Sequence, residues 1–242
     1  PEVIRSTARE MAMAAPATVV HPGRHATWYG DDTQRSRAIA ILNVLLGSWN
    51  RKGGFYIPEK VDLPAYPLPD YPTPKYETAD AYPGKWPFAG QGVTNGVIDA
   101  SIGEDAFFKG WLVYGTNLPQ TIPNVEAKLK AAANSLDLVV VVETMPSEMA
   151  GYADVILPEC TYLERYDDLR NSGERRPSLA LRMPAFEPKY DSKPGWWIAK
   201  QLGHRLGLDQ YFPWEDFSEK LDWQLEQIGS SLEEMQKVGV KN

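Results

Sequence analysis

The chain has 242 residues, enough for one large domain or two small ones with a sizeable core. A hydrophobic content of 43%, a charged content of 24% and a net charge of −7 without any basic cluster are ordinary for a soluble globular protein and argue against a nucleic-acid partner. No apolar run approaches the roughly 20 residues that cross a bilayer, no signal peptide opens the chain, and the start at Pro1 without Met points to a processed or excised piece.

Glu2 to Ala14 is a predicted helix with Val3, Ile4, Thr7, Ala8 and Met11 on one face and Pro16 as its stop. Ala17 to Val20 reads as a short strand, followed by the polar, turn-rich loop HPGRHATWYGDD. Asp32 or Thr33 caps a helix running to about Leu46. Ile39, Ile41, Leu42, Val44, Leu45 and Leu46 leave it apolar nearly all round, which predicts burial, and Gly47 is placed to close it. Between Tyr56 and Phe88 eight prolines alternate with aromatic residues. That density forbids a helix or an interior strand, and the aromatics favour an extended excursion packed on another surface over a flexible linker or a partner-docking arm.

The strand WLVYG (111–115) then runs into the loop TNLPQTIPN, the helix VEAKLKAAANSL, the apolar run Leu138 to Val142 ended by Glu143, and a second short strand from Asp154 to Leu157. Val139 to Val142 is a continuous β-branched run, the pattern of a parallel strand covered on both faces. Together with the earlier strand, polar loop and helix, this predicts two wound units in one sheet. The fold class is α/β, a mainly parallel sheet flanked by helices. Past Leu157, Arg175 and Arg176 follow a glycine turn, where an anion site competes with a solvated charge cluster, and Leu179 to Leu181 reads as a strand. Pro194 begins a helix, GWWIAKQLGHRLG, with His204 on its surface, and Trp214, Phe217, Leu221, Leu225 and Ile228 space a final amphipathic helix. The expected organisation is one α/β domain over 1–242, with an excursion at 56–90 and a helical tail at 194–242.

Ligands of open parallel sheets bind at the carboxyl ends of the strands. Gly115, Thr116 and Asn117 occupy such an end, where free N–H groups and a helix N-terminus favour a phosphate. Glu143 ends the next strand, placed to accept hydrogen bonds from ribose hydroxyls or base N–H groups. There is no GxGxxG, and a plain structural loop would use the same residue types. Cys160 is the only cysteine, so the chain has no internal disulfide, no CxxC pair and no cysteine-held iron–sulfur cluster of its own. It reads as a small buried apolar residue. His21, His25 and His204 show no metal-binding spacing, so no metal is expected to be held by this chain alone.

The string ADVILPECTYLER, preceded by VVVVETMPSEMAGY and followed by NSGERR, resembles the third domain of the molybdopterin oxidoreductases that carry molybdenum on two molybdopterin guanine dinucleotides. GTNLP is similar to that family's Gly-x-Asn-Pro loop, with Leu118 inserted before Pro119, and RAIAILNVLLGSWNRKGGFY resembles its helix and glycine-rich turn. The match runs from about Glu2 to Leu208. HPGRHATWYGDDTQRSRA is similar to the branch of polysulfide and thiosulfate reductase catalytic subunits, with arsenate and tetrathionate reductases nearby.

The resemblance implies a Rossmann-like domain in which Gly115, Thr116 and Asn117 hold the diphosphate, Glu143 the guanine or ribose, and Ser147 the phosphate side. It places Arg24 and His25 towards the molybdenum pocket, as a cationic fork and a proton donor for an anionic substrate. The parent enzyme would reduce or oxidise an inorganic sulfur compound or oxyanion such as polysulfide, thiosulfate, tetrathionate or arsenate. Its iron–sulfur cysteines, its molybdenum ligand and its second pterin clamp are not in this chain, which alone should be inactive, and Cys160 does not stand at the metal-ligand position. Expected partners are the remaining domains of the parent, an iron–sulfur electron-transfer subunit and a membrane anchor subunit, at the periplasmic or outer membrane face. The alternatives are a cofactor-free structural domain of a respiratory complex, as in the large iron–sulfur subunit of NADH dehydrogenase, and an unrelated flavodoxin-like binding module.

Overall fold

The computed structural model describes residues 1–21, 23, 33–76 and 94–241. The chain falls into two compact units. One comprises Pro1–Glu59, Tyr76–Gly96 and Gly173–Arg176, and the other Lys60–Lys75, Val97–Ser172 and Pro177–Asn242.

In the first unit, a run rich in good helix formers gives α1 (Glu2–Ala14), within the bounds expected. None of its residues is buried, and Val3 and Ile4 of its apolar stripe are exposed. Helix α2 (Thr33–Leu45) departs from expectation more sharply. Ile41, Leu42, Val44 and Leu45 are exposed, and the helix buries only Asn43. The Asn43 side chain explains why. Its Nδ2 donates to the Val20 carbonyl at 2.8 Å and its Oδ1 accepts from the Val20 N–H at 2.9 Å, satisfying both main-chain groups of that residue. Ala17 to Val20 is therefore extended chain stitched to side chains, not the expected strand, with the Ser48 hydroxyl donating to the Thr18 carbonyl as well. Gly47 closes α2 as expected, at φ 64, with its N–H donating to Val44 O and the Ser48 N–H to Asn43 O, each at 3.0 Å.

The second unit holds the wound sheet. Helix α3 (Thr94–Asp99) buries Ile98. Strand β1 (Gly110–Tyr114) leads through a single turn, α4 (Leu118–Thr121), to α5 (Glu126–Ser135) and then to β2 (Leu138–Glu143). A 3₁₀ turn, Glu148–Tyr152, connects β2 to β3 (Val155–Pro158). The three strands are parallel in the order β1-β2-β3, with Tyr114, Val142 and Leu157 in register, as are Val113, Val141 and Ile156. Side chains alternate between faces. Val139 and Val141 pack with Leu136 and Met149 on the face covered by the 3₁₀ turn, next to the α5 residues Leu129 and Ala132. The opposite face carries Leu112, which is 60% exposed, and Leu138 and Val155, also exposed. On that face Val142 is nonetheless buried and Val140 half-buried, so the two-sided cover expected for Val139 to Val142 is complete on one face and partial on the other. Among the described residues there is one parallel sheet, and the chain around Val20 is not part of it.

The strand expected at Leu179 to Leu181 is β5 (Ser178–Ala180), and it lies in a second, antiparallel sheet between β4 (Arg170–Ser172) and, from the far end of the chain, β6 (Val240–Lys241). It packs with helices that follow α6 (Gly195–Arg205), namely α7 (Phe217–Glu226) and α8 (Leu232–Val238). The tail expected at 194–242 is largely helical and ends in a strand. Gly239 at φ 72 stops α8, its N–H bonded to Met235 O at 2.7 Å, and the next two residues pair with β5. Leu169, Leu179, Trp214, Phe217, Leu221, Leu225 and Met235 form the core here, each large side chain contributing about 1.5–3 kcal/mol by burial.

The described part of the proline-rich excursion is packed, as its aromatics predict. Val61, Leu63, Tyr66 and Leu68 lie on that core. Asn171 clasps both main-chain groups of Val61 (3.1 and 2.7 Å), Gln224 Nε2 donates to Pro64 O at 2.9 Å, and the Tyr211 hydroxyl donates to Asp70 O at 3.0 Å. Side-chain donors and acceptors thus replace the ladder that proline denies this segment.

Candidate functional site

The carboxyl ends of β1 and β2 lie side by side. Gly115 leaves β1 at φ 57, a conformation glycine tolerates, and its N–H still donates to Val142 O at 3.2 Å. A Cβ there would meet nothing within 4 Å, so the need for glycine is one of backbone conformation. Among the described residues, the next two N–H groups, those of Thr116 and Asn117, donate to no acceptor. The helix expected after the loop TNLPQTIPN begins as expected, at Glu126 with Val125 before it, and within the loop Pro119 and Pro123 leave only the single turn α4. A four-residue α4 carries little dipole, so the loop's capacity for an anion rests on its free main-chain N–H groups.

Opposite the loop stands Glu143, the last residue of β2, half-buried. One carboxylate oxygen accepts from the Thr144 N–H at 2.8 Å and the Thr144 hydroxyl at 3.3 Å, and the other takes a 3.5 Å contact from the Ser147 hydroxyl. Ser147 therefore sits against Glu143, at the start of the 3₁₀ turn. Asn117 reaches across to that turn. Its Nδ2 donates to Glu148 Oε2 at 2.5 Å, and its Oδ1 accepts from the Met149 N–H at 3.2 Å. Gln120 Nε2 donates to the other Glu148 oxygen at 3.1 Å. These bonds, with the amide of Asn117 foremost, hold the Glu148 carboxyl below the usual carboxylate range. The fold thus brings Gly115, Thr116 and Asn117 together with Glu143 and Ser147. It adds Glu148, whose only sequence signal was its place in VVVVETMPSEMAGY.

A second polar group at this edge closes on itself. Tyr114, on the face opposite Glu143, donates its hydroxyl to Glu159, the residue after β3. Glu159 is 5% exposed and pairs with Arg165 Nη1 at 2.6 Å. Arg165 also donates to Cys160 O at 2.7 Å and to Asp167 at 3.0 Å, and Arg182 pairs with the other Asp167 oxygen. Burial, then the bond to Glu159, pushes the Tyr114 hydroxyl up to about 12. Cys160 is buried, and burial raises its thiol, in keeping with its reading as a small core residue.

Arg24 and His25 lie outside the described residues. Arg176 is exposed, and the Arg175 guanidinium lies over the Tyr56 ring at 5.8 Å. His204 is on the surface of α6, bonded to Asp209 at 2.5 Å. Among the described residues no cluster of His, Cys, Asp or Glu could hold a metal, and no helix is long and apolar enough to cross a membrane.

Residues 22–205 match the molybdopterin oxidoreductase family. The chain belongs to that family. Over 254 aligned positions it is 34% identical to the thiosulfate reductase molybdopterin-containing subunit of Salmonella typhimurium, covering 98% of this chain and 33% of that protein. It is 23% identical to the perchlorate reductase alpha subunit of Dechloromonas aromatica over 85% of this chain and 24% of the relative. Among solved structures, acetylene hydratase from Pelobacter acetylenicus is similar at 25% identity and a TM-score of 0.54, over 67% of this chain and 23% of that one. The chain thus spans about a third of the length of the thiosulfate reductase subunit. Membership in the molybdopterin oxidoreductases implies a molybdopterin cofactor, and the donor set at the β1 and β2 ends fits part of one. Two free N–H groups suit a phosphate, and the Glu143 carboxylate keeps acceptor capacity for a hydrogen-bond donor.

Proposed function

We propose that this chain is the guanine-dinucleotide-holding domain of a molybdenum oxidoreductase, inactive by itself. The loop Gly115–Asn117 takes the diphosphate, Glu143 the guanine or ribose, and Ser147 steadies the Glu143 side of the site. The observation that carries this reading is the pairing of free Thr116 and Asn117 N–H groups with the Glu143 carboxylate at adjoining strand ends. The cofactor, when bound, supplies the redox chemistry. This chain contributes position and charge: main-chain donors for the phosphates and a fixed acceptor for the base, oriented by Thr144 and Ser147.

Identity to the thiosulfate reductase subunit along nearly the whole chain supports an inorganic sulfur compound as the parent's substrate, with an oxyanion as the wider class. In that setting Arg24 and His25 are the candidate substrate residues, the one as a cation and the other as a proton donor. The parent carries an iron–sulfur cluster and works with an electron-transfer subunit and a membrane anchor at the outer face of a membrane.

The test is calorimetric titration of the 242-residue chain with guanosine diphosphate. Glu143→Ala is expected to weaken binding by about ten- to a hundredfold, the worth of a hydrogen bond to a charged group. Equal heats from both proteins would refute the role of Glu143 and favour a cofactor-free scaffold.

A further inference from the structure

Asn117 stands in the loop that the proposed function assigns to the diphosphate, yet its side chain is already engaged at both ends. Its donor end is held by Glu148 Oε2 at 2.5 Å and its acceptor end by the Met149 N–H at 3.2 Å. An amide engaged at both ends keeps only secondary donor and acceptor capacity for a ligand. Its main-chain oxygen is used too, accepting from the N–H groups of Gln120 and Thr121, each at 3.1 Å, and from the Thr121 hydroxyl at 3.1 Å. Glu148 takes a second bond from Gln120 Nε2 on its other oxygen, so one carboxylate grips both ends of the turn that follows the loop.

We infer that Glu148 is a positioning residue for cofactor binding: by clamping Asn117 and Gln120 it fixes the β1 loop so that the main-chain N–H groups of Thr116 and Asn117 face the diphosphate. Asn117 then shapes the loop, and its side chain does not touch the cofactor. This inference rests on the cofactor reading above for its ligand, although the clamp itself does not.

Electrostatics gives the inference a sign that separates it from a simpler role. Glu148 is exposed, and its bonds keep it ionised at neutral pH. An unclamped carboxylate beside a diphosphate repels it, so deleting the charge should tighten binding if charge were all that mattered. The clamp predicts the reverse, because removing Glu148 frees the loop and binding must then order it.

Guanosine diphosphate titration of the 242-residue chain and of Glu148→Ala, Glu148→Gln and Asn117→Ala tests this, together with amide exchange across residues 116–121 of each without ligand. Glu148→Ala and Asn117→Ala should each weaken binding by about tenfold and speed exchange in the loop, and the double alanine variant should be no worse than either. Glu148→Gln keeps an acceptor for the Asn117 amide and loses the charge, so it should bind at least as tightly as the unaltered chain. Tighter binding by Glu148→Ala, unchanged loop exchange, or loss confined to Asn117→Ala would each overturn the inference. If the unaltered chain takes up no guanosine diphosphate, the cofactor reading falls, and loop exchange alone decides the clamp.

Discussion

On one side of the parallel sheet's carboxyl edge, Glu143, Ser147 and Glu148 remain within reach of water, beside two N–H groups without acceptors. On the other side, Tyr114 at the end of β1 and Glu159 just after β3 are locked to Arg165, Asp167 and Arg182. Both clusters carry carboxylates and hydrogen-bond donors, yet only the first has unused capacity. A polar group left unfinished at a strand end is a place for a ligand, whereas one finished internally is part of the frame. The two should therefore respond oppositely to substitution, the closed side through stability and the open side through binding.

The largest expected effect lies on the closed side. Glu159→Ala takes from the largely buried Arg165 one of its two carboxylate partners and from the Tyr114 hydroxyl its acceptor, and should cost about 3 kcal/mol in urea unfolding. Molecules that remain folded should keep their affinity for guanosine diphosphate, and a binding loss larger than the unfolded fraction explains would break the division between the sides. Gly195→Ala is next. A Cβ at the start of α6 would stand 2.5 Å from the Tyr114 hydroxyl and 2.6 Å from Glu159 Oε1, so overpacking should cost about 1–3 kcal/mol. A melting temperature equal to that of the unaltered chain would show that Tyr114 yields freely.

On the open side, Glu143→Ala should shift stability by no more than about 0.5 kcal/mol while it reduces binding, and a large stability loss would mean that Glu143 belongs to the frame. The smallest effect is a pH dependence. The Tyr114 hydroxyl is raised from 10.0 to about 12, so the folded state holds this proton more tightly than the unfolded state. The associated stability is fully present below pH 10 and is lost as pH climbs towards about 12. Tyr114→Phe should remove that alkaline slope in unfolding experiments at successive pH values, and an unchanged slope would place its origin elsewhere.

Much of the fold was legible because it is local. The bounds of α1, the strands at Trp111 and Val139, the glycine stops at Gly47 and Gly115 and the acid at the tip of β2 follow from side-chain periodicity and backbone preference. Helix α2 is exposed where its pattern predicts burial, because an all-round apolar pattern reports an affinity for cover and does not supply the cover. The strand expected at Val20 failed for a related reason. Extended propensity gives no ladder when the Asn43 side chain takes both main-chain groups.

The site divides along the same line. The motif around GTNLP and VVVVETMPSEMAGY marks the loop and Glu143, since a glycine turn after a strand and an acidic strand tip are written in consecutive residues. Glu148 and Glu159 were invisible there, because their partners lie 31 and 45 residues away and meet them only through the β1-α5-β2-β3 crossover. The amino-acid sequence by itself determined the local elements, the family and the candidate ligand residues. Tertiary structure alone decided which carboxylates are free and which are locked, because that depends on what the winding of the sheet brings within about 3 Å of each oxygen.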